Sequence, residues 1–171
     1  MERDEMRRGV KETYGFADWA RPEEDAAPAQ ALMRRRPFLT APDLGASLGL
    51  RFARRTGHAG ARAYTDVYAA AGEEVQLSAL VDERATVEDA HEGLVDLLAT
   101  TMAVLPSCAE RGLEIGDVCF CGVDDPPGLI LFTRGRIVAR VASVGARPVD
   151  VTPFAQRLDE QIAGHLRAVG G

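Results

Sequence analysis

Residues 116–143 read GDVCFCGVDDPPGLILFTRGRIVARVAS, and the alternation within this stretch decides the fold. Residues 116–122 have the pattern of one strand. Residues 128–133 and 136–143 read as a hairpin around Arg134-Gly135, a dipeptide suited to a two-residue turn. Behind it, 149–162 has the period of an amphipathic helix: Thr152 is a candidate cap, Pro153 suits the first turn, and Phe154, Ala155, Leu158 and Ile162 form one apolar stripe. Gly164 permits the helix to end.

The preceding residues repeat the theme. Leu48, Leu50 and Phe52 alternate as in a half-buried strand, and Thr56-Gly57-His58-Ala59-Gly60 has turn chemistry. Residues 61–70 form a second strand, with Tyr64, Asp66 and Tyr68 on one side and Ala63, Thr65 and Val67 on the other. After a turn at Ala71-Gly72-Glu73-Glu74, Val75, Leu77 and Ala79 alternate in a third strand ending near Asp82. The period then becomes helical: Val87, Ala90, His91, Leu94, Leu98, Met102 and Leu105 share a face, Thr86 caps it, and Pro106 stops it. Residues 1–43 read as a separate, partly ordered arm, charged over 1–12 and broken by prolines, with a short helix from Glu23 or Pro28 to Arg36. Tyr14, Phe16 and Trp19 give the arm apolar anchors, so it is expected to dock on the domain or on a neighbouring subunit.

The expected architecture is thus one α+β domain at 44–171. Its antiparallel sheet follows the order β-β-β-α-β-β-β-α, and its helices pack on one face. In topology this order resembles the PsbP/Mog1-like and cystatin/NTF2-like α+β sheets. No functional residue matches either group, and a shared topology transfers no function.

Composition narrows the function classes. The chain has 171 residues, 46% of them hydrophobic and 27% charged, with a net charge of −6. That balance is globular, and it argues against a nucleic-acid binder, which presents a basic face. Lys11 is the only lysine and asparagine is absent, a bias expected of a GC-rich, bacterial genome. No run nears the roughly eighteen apolar residues needed to span a bilayer, and Met1 is followed by charges rather than an apolar leader. The expectation is a soluble, cytoplasmic protein that does not act on membranes.

The hairpin register sorts the candidate site residues. A turn at Arg134-Gly135 sets Phe132 against Ile137 and Ile130 against Ala139. A five-residue connection, Asp124–Gly128, places Phe120 on the Phe132 side, the side expected to lie under both helices. The second face then carries Cys119, Cys121, Leu129, Leu131, Thr133, Arg136, Val138 and Arg140. A face holding Leu129, Leu131 and Val138 needs a cover, and the arm, a subunit or a ligand are the candidates.

Cys119 and Cys121 share a face about 6–7 Å apart. Cys108 and His91 are the residues that might complete a zinc site with them, although His91 belongs to the core-facing stripe of its helix. With three cysteines, a fully paired disulfide scaffold is excluded. A bond from Cys108 to Cys119 or Cys121 requires an oxidising compartment, and a free cysteine in such a strand is first of all a small buried hydrophobe. Asp82, Glu83, Glu88 and Asp89 fit the start of a helix, where the dipole favours acids, and Arg34-Arg35-Arg36 fits a helix end. Asp-Asp-Pro-Pro-Gly at 124–128 is a turn. No nucleophile elbow, phosphate loop or paired-histidine metal motif is present.

The resulting expectation is a non-catalytic binding or protein-interaction domain that uses the second sheet face or the arm, with a protein partner or self-association and no cofactor, metal or catalytic residue. Its binding residues are drawn from Tyr64, Tyr68, Cys119, Cys121, Leu131, Arg136, Val138 and Arg140. The alternative is a small-molecule-binding protein or small enzyme with a pocket near Tyr64, Tyr68, Arg136 and Arg140. A third reading is a thiol or metal protein using Cys119 and Cys121.

Overall fold

The structure, a computed structural model, describes all residues except 1, 23, 25, 59–61, 73 and 171. The expected turn residues Ala59, Gly60 and Glu73, and Glu23 as a helix start, lie outside the described residues. Six antiparallel strands form one sheet: β1 (Arg51–His58), β2 (Arg62–Ala69), β3 (Val75–Glu83), β4 (Val118–Cys121), β5 (Leu129–Arg134) and β6 (Ile137–Ser143), in the order β1-β2-β3-β6-β5-β4. Helix α3 (Val87–Ala99) separates the two sets of three strands, and α4 (Thr152–Ala168) closes the chain. The arm contributes α1 (Arg3–Tyr14) and α2 (Ala26–Arg34). The α+β class and the strand–helix order are those read from the sequence.

The placement of the helices differs from that reading. Phe154, Ala155, Leu158 and Ile162 of α4 pack with Ile130, Phe132, Ile137, Ala139 and Val141, whereas Leu94, Val95 and Leu98 of α3 pack with Phe120, Leu131 and Val138. The two helices therefore cover opposite faces. Each fully buried Leu, Ile or Phe contributes roughly 1.5–3 kcal/mol, so α4 and α3 each hold their face with several such side chains.

The hairpin registers also differ from that reading. The β5–β6 turn is Gly135-Arg136, with Gly135 at a left-handed φ of 54°, and Phe132 pairs with Ala139 rather than Ile137. That slip is two residues, so every side chain keeps its face. Between β4 and β5 the slip is one residue: Gly122 N–H donates to Leu129 O, the connection runs over 123–128, and Phe120 pairs with Leu131. A one-residue slip exchanges the faces of a strand. Phe120 thus lies under α3 and the arm, while Cys119 and Cys121 lie on the α4 side.

Several ends also move. The first strand starts at Arg51, after a 3₁₀ turn at Ala46–Leu48, and continues through the expected turn residues Thr56, Gly57 and His58. Thr86 caps α3, its side chain accepting from Asp89 N–H. That helix stops at Ala99, short of Pro106, because the hydroxyls of Thr100 and Thr101 donate to the carbonyls of Leu97 and Leu98, both at 2.7 Å, and satisfy the helix end. Conversely, α4 passes Gly164; Thr152 lies inside the helix rather than capping it, and its N–H donates to the Asp150 carboxylate at 3.0 Å.

The charged N-terminus is helical, and its Val10 and Tyr14 pack against the second-face core. Asp4 and Glu5 sit in the first turn and Lys11 in the last, and Gly15 closes it at a left-handed φ of 74°. Arg7 and Lys11 pair with Glu92, and Arg3 and Arg7 with Asp96, which fastens α1 along α3. Beyond it Phe16 enters the second-face core, and Trp19 stacks between Phe16 and His91 at centroid distances of 3.7 and 4.0 Å. The arm docks on its own domain. Further along, Phe38, Leu44 and Leu50 cover the β1–β3 end of the α4 face.

Candidate interaction surface

The second face is covered unevenly. One cross-strand row runs Thr56, Thr65, Leu80, Arg140, Leu131, Phe120, from β1 to β4. Thr56 is exposed, Thr65, Leu80 and Arg140 are half-buried, and Leu131 and Phe120 are buried. Helix α3 packs against β5 and β6 and reaches β3, so its cover fades toward the β1 end. Strand β3 records the same boundary: Leu77, Ala79, Val81 and Glu83 are buried on the α4 face, and Gln76, Ser78, Leu80 and Asp82 are half-buried on the other.

The open end is basic. Arg51 pairs with Ala69 and Arg54 with Val67, two residues of one face of β2. In a regular strand residues 51 and 54 face opposite ways; the register shift between Phe52 and Arg54 brings both arginines to the second face. Both are exposed, and neither side chain has an ion pair or hydrogen bond among the described residues. Arg140 likewise has no ion pair among them. Arg55 points the other way and is spent internally. It holds the fully buried Asp66 through two bonds of 2.6 and 2.7 Å and lies 4.1 Å over the Tyr64 ring.

The residues expected to form a pocket are not brought together. Tyr64 and Tyr68 lie on the α4 face and Arg140 on the opposite one. The Tyr64 hydroxyl bonds both the N–H and the hydroxyl of Thr40 at 2.9 Å. Tyr68 packs edge-on against Phe154, and its hydroxyl has no partner among the described residues. Burial pushes both phenols upward, away from ionisation. Arg136 is buried at the sheet end, 3.3 Å from Glu83. A cleft of about 790 Å³ between α1 and α3 is lined by Arg7, Arg8, Lys11, Asp89 and Glu92, with none of the expected pocket residues.

Leu131 and Val138 are buried beneath α3. Cys119 is bonded to Cys108, with Cα atoms 5.4 Å apart, and this ties the 3₁₀ turn at Cys108–Arg111 to β4. Cys121 is a buried free thiol whose Sγ lies 3.9 Å from the Arg111 guanidinium. His91 stacks on Trp19 across the sheet, where burial lowers its pKa. The imagined zinc ligands therefore do not meet, and no group of three or more His, Cys, Asp or Glu among the described residues is placed to hold a metal.

Glu83 is not a helix-capping acid, as its neighbours in sequence suggested. It is buried in the α4 face, where Arg62 (2.8 Å), Arg136 and the N–H of Phe38 (3.2 Å) satisfy it. His165 Nε2, in the last turn of α4, lies 3.9 Å away. Alternation alone held the signal, because Glu83 continues the buried series Leu77, Ala79, Val81. The arginines of β1 were missed for another reason: their strand was placed too early and its second half read as a turn. The run RFARR between turn signals was the available clue.

The fold and surface define a small α+β sheet domain with a partly covered face and a basic rim. Comparison with protein-family models, curated proteins and solved structures finds no match for this chain. No helix among the described residues is long and apolar enough to cross a membrane.

Proposed function

We propose that this chain is a non-catalytic protein-interaction domain that receives its partner on the β1–β3 part of the second sheet face. The supporting observation is the uneven cover. The chain closes most of the β4–β6 part of that face with α3, Phe16 and Trp19, and leaves the β1–β3 part only partly covered, with Val67 and Ala69 buried but Arg51 and Arg54 exposed and without an ion pair among the described residues. Exposed or half-exposed faces of this kind, with a charged rim, are where protein partners dock. The Cys108–Cys119 bond favours a compartment that oxidises thiols over the cytoplasm expected from the sequence.

The test is site-specific photo-crosslinking of the full chain in extract of its own cells. A photoreactive residue at Thr56 or Thr65 is expected to give a discrete adduct that Arg54→Glu abolishes. The same residue at exposed Arg157 on α4 is the control. Equal adducts from both positions, or none from Thr56 and Thr65, overturn the reading.

A further inference from the structure

Resting on that reading, we infer that the partner is an acidic segment in extended conformation, which adds to the sheet as a seventh strand alongside β1. The two edges of the sheet are finished differently. At β4 the edge is closed: Cys121 N–H donates to Pro106 O at 3.1 Å, and Ser107 bridges Phe120. At β1, eight residues long and last in the sheet, the outward N–H and C=O groups meet no other main chain among the described residues. An unpaired edge of that length is a template for another strand.

Charge selects which strand. The chain carries a net −6, yet this edge presents Arg51 and Arg54 on one face with no counter-charge among the described residues. Side chains at alternate positions of an added strand fall on that same face. Glu or Asp at such positions meets the two guanidinium groups, and opposite charges across a strand pair stabilise it. A second copy of this chain fits badly. Full-length antiparallel pairing of β1 with β1 of another molecule sets Arg54 and Arg55 of one copy opposite Arg55 and Arg54 of the other, and like charges opposite each other are destabilising. Arginines on an edge also serve simply to repel other strands, and the experiment separates that role from recruitment.

Three extended peptides of equal length are compared on the full chain: one alternating Glu with Val or Thr, one with Gln in place of Glu, and one with Lys. Binding is read by titration calorimetry and by hydrogen exchange of the amides of β1. The acidic peptide is expected to bind, to slow exchange across Arg51–His58, and to lose about tenfold in affinity in Arg51→Glu/Arg54→Glu, with Arg51→Gln/Arg54→Gln between. Circular dichroism melts show whether each variant is folded. Equal protection of β1 by the Gln or Lys peptide overturns the acidic specificity and leaves the interaction-domain reading standing. Protection by the acidic peptide at another surface, or by no peptide anywhere, overturns the added-strand inference. If the Thr56 and Thr65 crosslinks also fail, the domain reading falls with it. A dimer of the free chain that Arg54→Glu dissociates overturns the choice of occupant.

Discussion

Opening the Cys108–Cys119 bond tests how the 3₁₀ turn at Cys108–Arg111 is held to β4. The bond spans a sequence separation of 11. On the chain-entropy relation, a loop of about eleven residues restricts the unfolded chain by about 9 cal/mol/K, or about 3 kcal/mol at 25 °C. For a domain of this size that is a fall in Tm of about 6–12 °C. With a urea slope of about 2 kcal/mol/M, the midpoint moves by about 1.5 M. The assay is urea unfolding with and without dithiothreitol, followed by circular dichroism and by fluorescence of Trp19, whose stack on Phe16 and His91 reports the arm separately. Thiol titration in denaturant is expected to find one free thiol, Cys121, before reduction and three after it. The Cys108→Ser/Cys119→Ser variant should show the same loss and no response to reductant. Three titratable thiols in the unreduced protein, or a midpoint shift below about 0.3 M, would refute the reasoning.

Other perturbations probe the buried polar groups. Tyr68→Phe removes a hydroxyl that is buried without a partner among the described residues, so stability should hold or rise by about 1 kcal/mol; a loss larger than that means the hydroxyl is bonded after all. Arg55→Met leaves Asp66, which has no solvent exposure, without its charge partner, and should cost about 3 kcal/mol or more in urea unfolding, whereas Arg54→Met, at an exposed and unpaired position, should cost little. Burial lowers the pKa of both His165 and His91 below the ordinary value near 6.5, against the opposing pull of Glu83 on the first and Glu88 and Asp117 on the second. The unfolded chain therefore takes up these protons first, so this stabilisation is complete above about pH 6.5 and declines as pH falls toward the folded values. The urea midpoint should drop between pH 7.5 and 5.5, and less in His91→Gln/His165→Gln; an unchanged slope in that variant removes the histidines from the explanation.

The legible part of this protein was the part with a short physical range. The 3.6-residue stripe of α4 and the Thr86 cap are written in consecutive residues, and each forms where expected. The β5–β6 hairpin keeps its faces because its turn moved the register by two. Helix α1 escaped because charge dominates its sequence; its Val10 and Tyr14 pack on the core, and ion pairs to Glu92 and Asp96, about ninety residues away in sequence, hold it there. The expected site fared as its parts did. Arg140 lies at the half-open end of the second face, but Leu131 and Val138 are sealed under α3, and the tyrosines and cysteines belong to the other side.

Alternation along each strand, the helix stripes and the order of elements were determined by the sequence alone, because they depend on backbone geometry within a few residues. Tertiary structure decided which alternating set meets which. One extra residue in the 123–128 connection turned Cys119 and Cys121 toward α4 and Phe120 toward the arm. Tertiary structure also decided what was left uncovered. Arg51 and Arg54 become a shared basic rim only through an irregular pairing with β2, and β1 becomes an open edge only because β3 pairs with β6 while Pro106 and Ser107 close β4. Those outcomes depend on contacts between distant segments, and a strand's own residues do not specify its neighbours.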